Sequence, residues 1–252
     1  MFELSIAGDT ALVAVLIFLA ALLYSAVGHA GASGYIAAMA MFGTAPAIMK
    51  PTALVLNILV ATLSTIRWHH RKLVNWKALL PLLMASIPCA FMGGAIQLPA
   101  HWYRLMIGLI LIVAALKFLL QPRARVQAIE TDAAVPVAGG LISGGAVGLL
   151  SGLTGTGGGI FLSPILLFLG WANVRQASGI TAPFILFNSI AGLLGNLVAL
   201  KSLPAQLPVL AAAAFAGWLV GSSIGIQWAS GTTLQRLLGI VLLIAGVKFI
   251  WT

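Results

Sequence analysis

The stretch "LLSGLTGTGGGIFLSP", Leu149 to Pro164, decides the fold. It places five glycines in the eight residues from Gly152 to Gly159, between two apolar runs that otherwise read as helix. Glycine inside a helix costs roughly 1 kcal/mol relative to alanine, so the glycines need a reason. Part of the run has a simple one: Gly140, Gly144, Gly148 and Gly152 recur every fourth residue, a small-residue stripe that lets a neighbouring helix approach closely. Gly217, Gly221 and Gly225 form a similar stripe. Gly155, Gly157, Gly158 and Gly159 are too dense to make one helix face. They predict a broken or re-entrant span, in which a helix stops near Gly155, the chain turns, and a short helix restarts near Gly159. The following run, "IFLSPILLFLGW", rises only about 18 Å as a helix, against a bilayer core of about 30 Å. Pro164 lies early in that run, close to a first turn whose N–H groups are unpaired anyway. A nucleotide-binding glycine loop is the competing reading, but no strand precedes the run, no Gly-Lys-Ser/Thr follows it, and no acidic residue stands about twenty positions on.

The rest of the chain sets that break in a membrane. Of 252 residues, 61% are hydrophobic and 7% charged, with a mean hydropathy of +1.11; no soluble core of this size hides so much apolar surface. No stretch alternates like a barrel strand, so the expected class is an all-α integral membrane protein, the way left to satisfy the backbone in lipid. Ten apolar segments are expected, near 11–28, 34–49, 51–66, 78–98, 102–120, 134–151, 159–171, 177–199, 205–228 and 233–251. The opening "MFELSIAGDT" carries no basic residue, so the first run is expected to be retained as a span rather than cleaved. The net charge of +9 comes from bases at segment ends and in short loops, which reads as topogenic charge and not as a nucleic-acid surface.

The loop "RWHHRKLVNWK", with Arg67, Arg71, Lys72 and Lys77, belongs on the cytoplasmic side. Alternation then puts Lys117, Arg123, Arg125, Arg175 and Arg236 on that side, and leaves Lys50, Arg104, Lys201 and Lys248 outside with both termini. The expected location is a bacterial inner membrane with periplasmic termini. Trp68, Trp76, Trp102, Trp171, Trp228 and Trp251 lie near segment ends, as interfacial anchors do. Cys89 reads as a small packing residue.

The halves resemble each other about 131 residues apart. "LMIGLILIVAALKFL" (105–119) answers "LLGIVLLIAGVKFIW" (237–251), with Gly108 on Gly239, and "KPTALVLNILVA" (50–61) answers "ITAPFILFNSIAG" (180–192), with Asn57 on Asn188. "SAVGHAGASGYIA" aligns with "SGLTGTGGGIFLS", Ser25 on Ser151. The organisation expected is a first five-helix repeat over 1–121, a cytoplasmic linker over 122–133 and a second repeat over 134–252. An odd number of segments per repeat inserts the second copy inverted, the plan of secondary transporters with a midplane site.

The chemistry follows from the turns. A helix restarting at midplane offers backbone N–H groups and a positive dipole end, and glycine lets a ligand reach them. An anion suits such a cradle, built from Gly155, Gly157, Gly158 and Gly159 with the hydroxyls of Thr154 and Thr156. In the first repeat, His29, Gly31, Ser33 and Gly34 of "VGHAGASGY" would form a second cradle. Asn57 and Asn188 are read either as further ligands or as interhelical hydrogen-bond glue. No metal-ligand spacing, catalytic grouping or cofactor motif occurs in a segment, so no metal, cofactor or catalytic residue is expected. The partners expected are a small anion and lipid.

These motifs, with the basic loop after the third segment, resemble the TauE/SafE sulfite exporter family, also called the toluene sulfonate uptake permease family, over nearly the whole chain. The resemblance implies transport of sulfur-containing anions such as sulfite, sulfoacetate or related organosulfonates. In the first copy His29, Ala30, Ala32 and Ser33 stand where Gly155, Thr156, Gly158 and Gly159 stand in the second, a departure from the family's glycine-rich pattern. Glu3, Asp9, Glu130 and Asp132 all fall outside the ten segments, so any proton coupling runs through His29 or the substrate itself. An anion channel, or a transporter of another small carboxylate or sulfur anion, fits the same residues.

Overall fold

The computed structural model describes residues 2–26, 28–120, 135–197, 200 and 203–227, with 240, 243, 246, 247 and 250 of the last segment. Those residues hold no strand. They form α1 (Phe2–Ala26), α2 (Ala32–Met41), α3 (Pro46–His70), α4 (Trp76–Ala95), α5 (Ala100–Leu120), α6 (Val137–Thr154), α7 (Gly159–Phe168), α8 (Val174–Gly195) and α9 (Leu207–Gln227). Five helices are long and apolar enough to cross a membrane, counting α1 from Asp9 and α8 from Arg175. The linker and most of the expected tenth segment lie outside the described residues.

Local chemistry places the ends. Asn75 caps α4 by accepting the Ala78 N–H at 3.1 Å, and Asn173 with Gln176 forms a capping box at the start of α8. Three boundaries differ from the sequence reading. The second helix ends at Met41, not near residue 49, because the chain turns at Gly43, which takes the left-handed conformation (φ 73°) that glycine allows. The third helix begins at Pro46, not near residue 51, because Pro46 occupies the first helical turn, where a missing N–H costs nothing. α1 begins at Phe2, so Glu3 and Asp9 lie inside a helix rather than before it; hydrogen bonding continues past the point where apolar periodicity stops. Asp9 is exposed.

The glycine stripe of α6 is a packing seam. A methyl group at Gly144 would stand 2.3 Å from the Leu82 carbonyl oxygen, at Gly148 2.4 Å from that of Ser86, and at Gly152 2.1 Å from that of Ala90. The contacts advance in the same direction on both helices, so α4 and α6 are parallel. Gly179 against Leu73, just before α4, and Gly195 against Phe91 within it make α8 parallel to α4 as well. A second seam joins α9 to α1 through Gly217 against Phe18 and Gly221 against Leu22, again parallel. Strict alternation of crossings demands both sets of directions.

Candidate functional site

The second glycine turn has the form its sequence implies. α6 ends at Thr154, and Gly155 (φ 80°), Gly157 (φ 74°) and Gly158 (φ 79°) all adopt the left-handed region that favours glycine. α7 restarts at Gly159 and runs only ten residues, about 15 Å, so it cannot cross the bilayer alone. Pro164 is its sixth residue, beyond the first turn, and leaves the Ile160 carbonyl without its usual donor. The first turn is built alike: Gly28 (φ 83°) and Gly31 (φ 107°) are left-handed, and α2 starts at Ala32 and is also ten residues long. Neither short helix has a side-chain N-cap.

The N-termini of the two short helices meet at a cavity of about 10 Å³, room for one water. His29, Gly31 and Ser33 line it from the first turn, Thr156 and Gly159 from the second, and Tyr24, Ala30, Ala32, Ile160 and Ile185 complete the wall. Gly157 and Gly159 would clash through a methyl with Ile185, and Gly159 also with Thr181, placing the second turn against the middle of α8. His29 bridges the halves: its Nε2 lies 2.6 Å from Ser163 Oγ on α7. Ser163 also lies 3.1 Å from the Gly159 carbonyl and 3.2 Å from Thr181 Oγ1. Because Ser163 has one proton and the Gly159 carbonyl only accepts, we assign Nε2–H of His29 as donor to Ser163. Tyr24 and Ser33 hydrogen-bond through their hydroxyls, and Tyr35 donates to the Ala30 carbonyl.

Around the second turn, Asn57 donates to the Thr156 carbonyl at 3.3 Å and to Ser189 at 3.4 Å. Tyr103 donates to the Thr154 carbonyl at 3.0 Å. The Thr154 hydroxyl donates to Leu150 at 2.6 Å and lies 2.9 Å from that of Thr156, so Thr156 must donate to Thr154. To donate to a ligand instead, Thr156 has to rotate and give up that bond. Asn57 Oδ1 and the Ser151 and Ser25 hydroxyl oxygens are buried without a hydrogen-bond partner, polar groups that cost free energy until something pairs them.

The sequence-derived residues therefore separate. His29, Gly31, Ser33, Thr156 and Gly159 reach the cavity; Thr154, Gly155, Gly157, Gly158 and Asn57 shape or pin the second turn. Gly34 packs against Ala20 and Tyr24 of α1. Asn188 does not line the cavity; its amide donates to Ser86 of α4 at 3.1 Å and to the Phe184 carbonyl at 2.8 Å, while its Oδ1, like that of Asn57, is buried without a hydrogen-bond partner.

Sequence reasoning missed Ser163 and Lys50. Counted among the outside topogenic charges, Lys50 is 6% exposed and stands beside Gly155, where a methyl would lie 3.1 Å from its Cγ. Its Nζ donates to the carbonyls of Gly93, Gly94 and Ile96 at 3.3, 3.1 and 3.4 Å, a cation at the negative end of α4. Pro46 was the available signal: starting α3 there puts Lys50 inside the helix.

Apolar helices of spanning length, with the N-termini of two short helices lining one small cavity, fit a membrane protein that handles a small solute. The chain belongs to the TauE/SafE sulfite exporter family, whose model, described as "Sulfite exporter TauE/SafE", matches residues 13–249. It is 38% identical over 239 residues, 94% of this chain and 97% of the relative, to a protein named "Probable membrane transporter protein y4hK" from Sinorhizobium fredii (strain NBRC 101917 / NGR234). No solved structure matches it.

Proposed function

We propose that the protein is a secondary transporter, and an exporter, of sulfur-containing anions such as sulfite or organosulfonates including sulfoacetate, in a bacterial inner membrane. The observation that carries this reading is the convergence of two uncapped helix N-termini on one cavity. Each N-terminus carries about half a positive charge, and the glycines leave the backbone N–H groups within reach of a ligand. The cavity is too small for such an anion as it stands, which favours a closed state of an alternating-access cycle over an open channel. The reciprocal seams, α4 on α6 and α9 on α1, are those expected if two inverted five-segment repeats rock against each other about the site. With the inside negative, each exported negative charge gains about 2.3 kcal/mol per 100 mV.

The test is saturable flux of sulfite or sulfoacetate in right-side-out and inverted vesicles, paired with anion-dependent thermal stabilisation of the purified protein. Thr156→Ala is expected to remove most of the stabilisation by anion while leaving the unliganded Tm within a few degrees. Asn188→Ala is expected to do the reverse, lowering the unliganded Tm through the lost bonds to Ser86 of α4 and to the Phe184 carbonyl, each worth about 1 kcal/mol, and keeping the anion shift. No flux and no stabilisation by any sulfur anion would remove this reading.

A further inference from the structure

We propose that the end of α4 is a binding site for a monovalent cation, and that the chain fills it with the ammonium of Lys50 in place of a coupling ion; the transport half of the inference rests on the reading above. α4 leaves helical geometry at Ile96 (φ −75°, ψ 121°), so the carbonyls of Gly93 and Gly94 have no donor further along the helix. They and the Ile96 carbonyl converge on one point, since Lys50 Nζ reaches all three, at 3.3, 3.1 and 3.4 Å. An ammonium has three N–H groups, and this one gives one to each oxygen. A helix C-terminus carries about half a negative charge, and such ends, with the unwound carbonyls beside them, are where transporters hold sodium or a proton.

The surroundings tie this cation to the second glycine turn. The buried Lys50 runs past Gly155, the residue that ends α6: a methyl there would lie 3.1 Å from Lys50 Cγ and 3.1 Å from its carbonyl oxygen. Gly93 packs against the backbone of α6 at Leu149 and Leu153, and Gly94 against that of α8 at Gly192. The negative ends of α4 and α6 therefore adjoin one positive side chain, at the junction of α3, α4, α6 and α8. A metal ion at this junction would come and go with its concentration, whereas a tethered ammonium stays. The turn keeps its positive backing through the whole cycle, and this position supplies no coupling to sodium or potassium.

Lys50→Ala leaves the three carbonyls unpaired and the space of the side chain empty. In the purified full chain its Tm is expected to fall in N-methylglucamine buffer and to recover saturably on adding ammonium or methylammonium chloride. Tetramethylammonium, which has no N–H to donate, is the salt control and should not restore it. Lys50→Met keeps most of the side chain's volume without the charge, and should not recover either. The wild type is expected to show none of these shifts, and its sulfite flux to be equal in symmetric sodium, potassium and N-methylglucamine media. No recovery in Lys50→Ala, or equal recovery in Lys50→Met or with tetramethylammonium, overturns the cation site. Wild-type flux that requires sodium or potassium overturns the replacement of a coupling ion, an arm that holds even where Lys50→Ala does not fold. Absence of sulfite and sulfoacetate flux in every medium would instead count against the transport reading, and the ammonium titration of Lys50→Ala then decides the site by itself.

Discussion

Gly152→Val is expected to prevent assembly of the native bundle. Its Cβ alone would stand 2.1 Å from the Ala90 carbonyl oxygen and 2.7 Å from the Gly94 N, and both are backbone atoms of a helix that has its own ladder to keep. Neither atom can rotate away as a side chain would, so α4 and α6 have to separate along their seam. Overpacking a well-filled interior ordinarily costs about 1–3 kcal/mol, and a backbone clash extending over a seam exceeds that. Thermal unfolding and size-exclusion profiles of the detergent-solubilised protein should show loss of the folded monodisperse species. Gly145→Ala is the matched control. At Gly145 a methyl meets only Ala85 Cβ and Cys89 Sγ at 3.6 Å, ordinary contact, so Tm should stay level or rise slightly from the better helix former. Equal effects at the two positions would refute the seam.

Gly157→Ala is expected to spare the bundle and disable the site. Gly157 has φ 74°, a conformation costing an L-residue about 1–2 kcal/mol, and its Cβ would lie 2.5 Å from Asn57 Nδ2. Asn57 is the side chain that holds the Thr156 carbonyl, so relieving the clash releases the turn from α3. Adding a lost hydrogen bond of about 1 kcal/mol to the strain brings the cost to about 2–3 kcal/mol, and anion affinity or flux is expected to fall by one to two orders of magnitude. A Kd within about threefold of wild type, measured alongside a retained Tm, would show that the turn's geometry does not govern binding.

Much of this arrangement was legible in the residues. A four-residue glycine spacing announced the α6 seam, and a denser cluster announced the break after Thr154, because both depend on glycine's own stereochemistry. The short run after the second break was readable from length alone, but the equal shortness of α2, which ends at Met41, was not. Polar residues were harder. Asn57 and Asn188 occupy matching places in sequence, yet one pins a turn and the other joins α8 to α4. Their surroundings differ, and no local pattern encodes surroundings.

The sequence by itself determined the membrane class, the order of the apolar segments and the two places where helices break, since hydropathy, periodicity and glycine φ preferences act over a few neighbouring residues. Only the tertiary structure decided that the two breaks share one cavity, that His29 reaches Ser163 across 134 positions of chain, and that Lys50 is buried against the end of α4. Those outcomes depend on which helix lies beside which. A buried polar group takes whatever partner the packing supplies, however distant in sequence.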